Sequence, residues 1–525
     1  MSRRWIAVLI LPVLLACDTV TSLLPPGPTP TRPAPVTLPP TYTPTPPPRS
    51  SPTPPATPTA LTHLSEHAAA LRPAFAADLA SHAHLTRYWI EVDVDLDLAR
   101  AHASLDGQAR IRYTNPLDDQ LEDVVLMLWP NDGQYDAEMT AGPVLVDGVS
   151  VEPRAEMGGI ALRIPLPVSL APGALVDLSL PFHIDVDGLM TAEAPRRFAI
   201  TQGVLIAPTF YPLVPRLVDD AWQVEPAPPG GDTTNSDAAY YDLQITASAE
   251  FALAVSGAVV DTVPRPDGRQ TVRVVTGPVR DVALALGPLV LEEREVDGVL
   301  LRAWVLPDHA SDLRRMLGAA ETQLRALSEW IGPYPYTELD LVDAPGAFGG
   351  IEYPGLVYIG TLGSSWIIEP VVHEVGHQWF YGLIGSDQLE APWLDEAAAS
   401  YTEVLYYEAA AGPERGTTLL REFHDLVEGF ADRPQTPIGL PVGEYASESE
   451  YALIVYDKGA LFFDALRRQL GDDAFFRFLQ EYFQAYRYGF AEPSDFARAA
   501  ESTCGCDLDP VFDLWVDEGG PLPGP

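Results

Sequence analysis

At 525 residues the chain is too long for a single domain and, with 47% apolar residues, has ample material to bury more than one core. Its 73 acidic residues against 32 basic ones leave a formal net charge of −41, a field that repels nucleic acid and anionic lipid, so no nucleic-acid partner is expected. Two folded domains and a tail are the expected organisation.

The N-terminus, MSRRWIAVLILPVLLACDTV, joins Arg3 and Arg4 to an apolar run from Trp5 to Ala16 that is too short to span a bilayer. It reads as an export signal over residues 1–16. Leu14-Leu15-Ala16-Cys17 resembles the lipobox of bacterial lipoproteins, which implies cleavage before Cys17 and lipidation of that cysteine as a membrane anchor; a plain secretory signal is the alternative. From Ser22 to about Thr62 the chain is almost wholly Pro, Thr, Ser and Ala. Such a stretch cannot bury a core and favours extended polyproline II, so residues 17–62 are expected to be an anchored spacer.

Past a short helical stretch near His63 to Ala80, residues Ile90 to Leu98 alternate apolar and acidic without a break, the period of a half-buried strand. Asp93, Asp95 and Asp97 imitate a calcium loop, but its Gly and Glu positions hold Leu98 and Ser104, so a solvated strand face is the better reading. Further strand-like runs follow, among them GQARIRYTN, ALVDLSLPFHIDV, YYDLQITASA, FALAVSGAVV and RDVALALGPLVL, separated by Pro, Gly and Asp. They predict an antiparallel sandwich or saddle over 63–305. From Ala310 helical periodicity takes over, with one β-like insertion around Leu339 to Ile359, so a mainly helical domain is expected over 306–525 and the fold class is α+β. Cys504 and Cys506 are too close for an ordinary loop-closing bridge and read as structural cysteines, with a disulfide as the lesser alternative.

The helical half contains VVHEVGHQWF. Residues four apart share a helix face, so His373 and His377 can aim ring nitrogens at one point, a spacing that suits zinc. Glu374 would sit at the rim of such a metal, placed to take a proton from water. A bare HExxH arises by chance in roughly one shuffled chain in a hundred of this composition, so the motif needs support. Glu396, nineteen residues past His377 in a second helical stretch, supplies it: a helix, a loop and an antiparallel helix would return its carboxylate to the histidines, completing a three-ligand shell with one open position. Glu403, two turns farther on the same face, would orient a ligand histidine or else face solvent. Glu369, one turn before His373, is expected to be exposed.

These residues resemble the zinc site of the aminopeptidase N-like metallopeptidases, the gluzincin family that includes leukotriene hydrolase. FGGIEYPG (348–355) is similar to the family's Gly-x-Met-Glu-Asn strand, with Ile for Met and Tyr for Asn. GPYPY (332–336) and VYDKGALFF (455–463) match the family's segment before that strand and its Tyr-Glu-Lys-Gly helix. The resemblance is dense after residue 330 and faint before it. It implies a thermolysin-like catalytic domain holding one Zn2+ on His373, His377 and Glu396, with Glu374 as general base. Tyr456 would stabilise the oxyanion, Glu352 would hold a substrate's free amino group, and the backbone of Gly349 and Gly350 would line the substrate strand.

The departures are specific. The family's Pro-Cys-x-Asp-x-Pro stretch has only TFYPLVPRLVDDAW (209–222) as a counterpart, so no second amine-binding residue is assigned. Family members also continue past the position of Pro525 into a helical domain that roofs the cleft, and a more open cleft is therefore expected. The leading expectation is an exported, lipid-anchored zinc aminopeptidase acting on peptides. The alternatives are a zinc endopeptidase or protein-processing enzyme, and a surface-binding lipoprotein without turnover.

Overall fold

Alternation shapes the first half of the chain. Ile90, Val92 and Val94 are buried while Glu91, Asp93 and Asp95 face solvent, and the segment forms strand β1 (Thr86–Asp97). Asp93 pairs with Arg269 on this wet face. The computed structural model describes residues 63–520 and 522, apart from 134, 188–197, 227–235, 347–348, 361–366 and 430–434. The export signal, Cys17 and the spacer expected over 17–62 lie outside the described residues.

β1 pairs antiparallel with β2 (His102–Thr114), and β2 with β3 (Leu175–Asp187), in a nine-stranded sheet. The expectation of an antiparallel sheet needs one correction, because β1 runs parallel to β4 (Ala239–Ser248). A parallel pair requires a long crossover, which the strands lying between them in sequence provide. Two apolar runs also break differently from their reading. FALAVSGAVV splits into Ala252–Val255, in a separate four-stranded sheet, and Ala258–Pro264, in the large one. The chain turns at Gly257, with φ +104, where an added Cβ would lie 2.7 Å from Val275 O. RDVALALGPLVL divides at Pro288, which offers no backbone donor to a ladder: Ala283–Gly287 joins the four-stranded sheet, and β5 (Val290–Val296) joins a third.

That third sheet straddles the boundary expected at 305/306. β5 pairs with β6 (Val299–Val305), which runs parallel to β7 (Glu338–Asp343). The far edge is β8 (Gly350–Ile351), which pairs with β9 (Leu356–Ile359), itself parallel to β7. The register of β6 on β7 is held by a buried two-point pair, Arg302 Nε to Asp340 Oδ1 at 2.8 Å and Nη2 to Oδ2 at 2.8 Å. The helical half thus completes its sheet with two strands, β5 and β6, that sequence texture assigned to the β-rich half.

The helices follow their apolar period. In α1 (Leu313–Trp330) the residues Leu313, Met316, Leu317, Ala320, Leu324 and Leu327 are buried. α2 (Ile368–Gly376) and α3 (Glu396–Ala411) pack on it and on each other, and α4 (Pro413–Gly429) and α5 (Gly459–Leu470) pack on α3 and on each other. One apolar core extends from Leu71 to Val516 through both halves. The stretch from His63 to Ala80 is mostly 3-10 turns, interrupted at Leu71 and Arg72 before Pro73 opens the second, with a single α turn at Asp78–Ser81. Cys504 and Cys506 are disulfide-bonded, which corrects the expectation of unbridged cysteines. No helix among the described residues is long and apolar enough to cross a membrane.

Candidate metal centre

α2 carries His373 and Glu374 and ends just before His377; α3 begins at Glu396. Two features let these helices meet closely. A Cβ on Gly376 would lie 2.1 Å from Thr402 Oγ1, so only glycine admits α3 at this depth. Gln323, buried on α1, donates to Val372 O at 3.1 Å and to Thr402 O at 3.0 Å, tying both helices to a third.

The result is a small triangle of ligand atoms. His373 Nε2 and His377 Nε2 are 3.0 Å apart, and Glu396 Oε2 lies 3.3 Å from the first and 3.2 Å from the second. Ligand atoms about 2.0–2.1 Å from a tetrahedral zinc stand about 3.3 Å apart, so the triangle fits that ion without rearrangement. The other ring nitrogens are held by carboxylates: His373 Nδ1 on Glu403 Oε1 at 2.9 Å, and His377 Nδ1 on Asp395 Oδ1 at 2.5 Å. With Nδ1 donating, each Nε2 lone pair points into the triangle.

The electrostatics ask for positive charge. Burial would push both imidazoles toward the neutral form, yet hydrogen bonds to Glu396 and Glu403 outweigh it and hold His373 up at about 10. His377 is likewise held well above the usual histidine range, burial being overcome by Asp395, Glu352 and Glu396. Burial is also overcome at Glu396, which the two histidines hold below the usual carboxylate range. Five carboxylates thus gather around two rings, and a divalent cation would neutralise the excess.

Each expected residue can now be placed. Glu374 is buried against β8, where a Cβ on Gly350 would come within 2.4 Å of its Oε1; the glycine makes room for the carboxylate. Just before this edge strand, a Cβ on Gly349 would meet no described residue within 4 Å. Gln378 clamps this segment to α2 by accepting from Gly355 N at 2.8 Å and donating to Tyr353 O at 3.3 Å. Glu352 is buried, with a carboxylate oxygen within 4.8 Å of ligand atoms from His377 and Asp395. Tyr456 stacks on His373 with ring centroids 5.6 Å apart. Glu403 takes the orienting role. Glu369 departs from its reading: it is half-buried and accepts from the Tyr407 hydroxyl.

Three features were missed. Asp395, fully buried, orients His377, and its place immediately before a ligand in WLDEA was the available signal. Gln388 sits in the connecting loop and donates to Asp395 Oδ2 at 2.8 Å and to Glu352 Oε1 at 3.4 Å, bridging the two carboxylates. The helix of Tyr456 is locally a π-helix over Ala452–Lys458, a geometry without a strong sequence signature. It is followed by Gly459, where a Cβ would lie 2.3 Å from that of Ala397, so the tyrosine's helix can press on α3 beside Glu396.

Comparison with known proteins agrees with this geometry. Residues 320–515 match the peptidase family M1 domain. Aminopeptidase 2 of Candida albicans is 25% identical over 305 residues, which are 53% of this chain and 32% of that protein. Aminopeptidase N of Streptomyces lividans is 31% identical over 159 residues, 29% of this chain and 18% of its own length. The chain thus spans about a third or less of these relatives. Among solved structures, an M1 zinc metallopeptidase from Deinococcus radiodurans superposes with a TM-score of 0.62 at 20% identity, covering 83% of this chain and 96% of that one. A mutant of that protein has been solved bound to a Tyr-Ser-Ala substrate, with a TM-score of 0.63 at 21% identity, covering 84% of this chain and 95% of the other. At such identity the likeness shows a shared fold.

Proposed function

We propose, from the premise that residues 320–515 carry a peptidase family M1 domain, that this chain is a zinc metallopeptidase that removes N-terminal residues from peptides. The observation that carries the reading is the triangle of His373, His377 and Glu396 with Glu374 and Tyr456 on its margin.

When bound, zinc would polarise the scissile carbonyl and ease ionisation of the attacking water. Glu374 takes the proton that water loses and delivers it to the departing amine, so its carboxylate ends the cycle as it began. The Tyr456 hydroxyl donates to the oxygen that becomes negative when water adds to the carbonyl. The peptide adds as an extended strand along β8, where Gly350 and the preceding Gly349 carry no side chain to stand over the backbone. Glu352 accepts hydrogen bonds from the free ammonium group, which fixes which peptide bond reaches Glu374.

The space beside Gly349, clear of described residues within 4 Å of an added Cβ, favours one further reading, an endopeptidase that admits a longer chain. Hydrolysis of an aminoacyl anilide and of its N-acetylated form by the protein from residue 63 onward distinguishes the two. A strong preference for the free amine, lost with chelator and restored by zinc, is the expected outcome; equal rates would overturn the aminopeptidase reading.

The same proposal places the enzyme outside the cytoplasm, anchored through a lipid on Cys17 and spaced by residues 17–62. The apolar leader with its lipobox-like ending supports this, as does the Cys504–Cys506 disulfide, a bond that persists in oxidising compartments. Metabolic labelling with a palmitate analogue in wild type and Cys17→Ala tests it; label retained by the variant would overturn the anchor.

A further inference from the structure

α6 (Pro493–Cys504) ends at Gly505, which takes the left-handed conformation with φ +63 and donates its N–H to Glu501 O at 2.8 Å. The turn is held from both sides. Leu508 N donates to Glu501 Oε1 at 3.0 Å, and Arg477 reaches Thr503 O at 3.2 Å. Across this turn runs the Cys504–Cys506 disulfide, with Gly505 the one residue between its cysteines. A cross-link stabilises a fold by constraining the unfolded chain, and the constraint grows with the loop that is closed. A bond that closes over one residue, in a turn already held by hydrogen bonds, adds little to the fold.

The surroundings suit reaction better than stability. Cys506 is exposed and Cys504 half-buried, and a Cβ on Gly505 would meet no described residue within 4 Å, so the sulfurs can be approached. Cys504 Sγ accepts from Cys506 N at 3.1 Å, a donor that steadies charge developing on that sulfur. The two sulfurs are therefore unequal, one within reach of an attacking group and the other prepared to leave. Asp507 and Asp509, in the loop that follows, bring carboxylate oxygens within 4.8 Å of that of Glu501. Their combined field attracts cations and repels anions.

We propose that Cys504–Cys506 is an exchange-active disulfide that oxidises exposed thiols, cationic ones in preference. A thiolate attacks Cys506 Sγ, the S–S bond breaks, and its electron pair leaves on Cys504 Sγ, which takes a proton from water. A second thiolate attacks the outer sulfur of the mixed disulfide, and the pair leaves on Cys506 Sγ, protonated in turn. Two thiols are oxidised to one disulfide while Cys504 and Cys506 are reduced to two thiols. None of these residues belongs to the metal centre, so the proposal does not rest on the peptidase reading.

Incubation of the full protein at low ionic strength with cysteamine, 2-mercaptoethanol or mercaptoethanesulfonate, at equal thiolate concentration, tests it. Samples quenched in acid are mapped by peptide mass, which separates this pair from Cys17. Reduction of the folded protein is expected at a rate within about 10-fold of that of the urea-unfolded chain, with the mixed disulfide on Cys506. Cysteamine should lead mercaptoethanesulfonate by about 3–10-fold, a gap that narrows in high salt and in Asp507→Asn/Asp509→Asn. The reduced protein should keep its melting temperature and its anilide hydrolysis. A folded protein that reacts more slowly than that range, adducts on Cys504, equal rates for the three thiols, or a reduced protein that melts well below the oxidised one would overturn the proposal.

Discussion

His373 and His377 are buried inside a ring of carboxylates, whereas His424, buried on α4, has no hydrogen-bond partner among the described residues. The first pair have every ring nitrogen directed, two toward orienting carboxylates and two toward a shared point. The third has the carboxylates of Asp425 and Glu428 within 4.8 Å of a ring nitrogen but no hydrogen bond to either. Burying a polar ring is costly in both places, and only in the first does the protein supply the groups that offset the cost. The contrast separates rings whose burial is offset by hydrogen bonds from one ring whose burial is not.

The largest expected effect tests the preorganised side. Glu374→Gln keeps the shape of the side chain against Gly350 and removes its basicity. Turnover should fall by about a hundred- to ten-thousand-fold while zinc content, measured by atomic emission, stays near one per chain. Loss of zinc together with activity would mean that Glu374 belongs to the metal shell rather than to proton transfer.

Asp395→Asn comes next. It leaves a hydrogen-bond acceptor beside His377 Nδ1 but removes the charge, and zinc affinity in competition with a chelating dye should weaken by about 10–100-fold. An unchanged affinity would reduce Asp395 to a packing residue and weaken the contrast with His424. The substitution also loosens Gln388, which shares its amide between Asp395 and Glu352. KM for free-amino substrates should therefore rise as well.

The sequence made this site legible because its chemistry is carried by short spacings. Two histidines four apart, a glutamate nineteen residues beyond and a glycine-rich strand all translate directly into one face, one returning helix and one edge. Gln388 and Gln323 were invisible for a physical reason, and Asp395 offered only its place beside a ligand. Each acts through a contact that exists only after the helices have docked, and neither spacing nor periodicity records docking. The folds of the two halves were legible as textures, alternation before residue 300 and helical period after it. The sheet shared across the expected boundary was not, because β6 gains its partner β7 only after the α1 helix has intervened. The π turn at Tyr456 was hidden as well, since nothing in Ala452–Lys458 marks an extra residue in the turn.

A milder test concerns the carboxylate beside Tyr456. Burial, aided by the negative Glu403, pushes Asp457 up to about 7. Its raised pKa means that the folded state prefers the protonated acid. The resulting penalty is small near pH 4, grows as pH rises toward about 7 and is constant above that. Asp457→Asn removes the charge, so its stability relative to wild type should increase over the same interval, reaching about 1–2 kcal/mol once partial solvent screening is allowed for. Thermal melts across pH 4 to 9 measure it, and a difference that shrinks with rising pH would show that the carboxylate is stabilised as the anion.

The smallest expected effect falls on the other side of the comparison. His424→Phe keeps a ring of similar shape and removes two nitrogens, one of which is sealed without a partner. Removing an unsatisfied buried polar group should raise stability by about 1 kcal/mol in denaturant unfolding, with zinc affinity and anilide turnover unchanged. A destabilised protein would mean that the ring already has a partner in solution, and the distinction between the two histidine environments would fail at His424. If stability rises, the wild-type ring carries the cost of a buried, unsatisfied nitrogen that its packing does not offset.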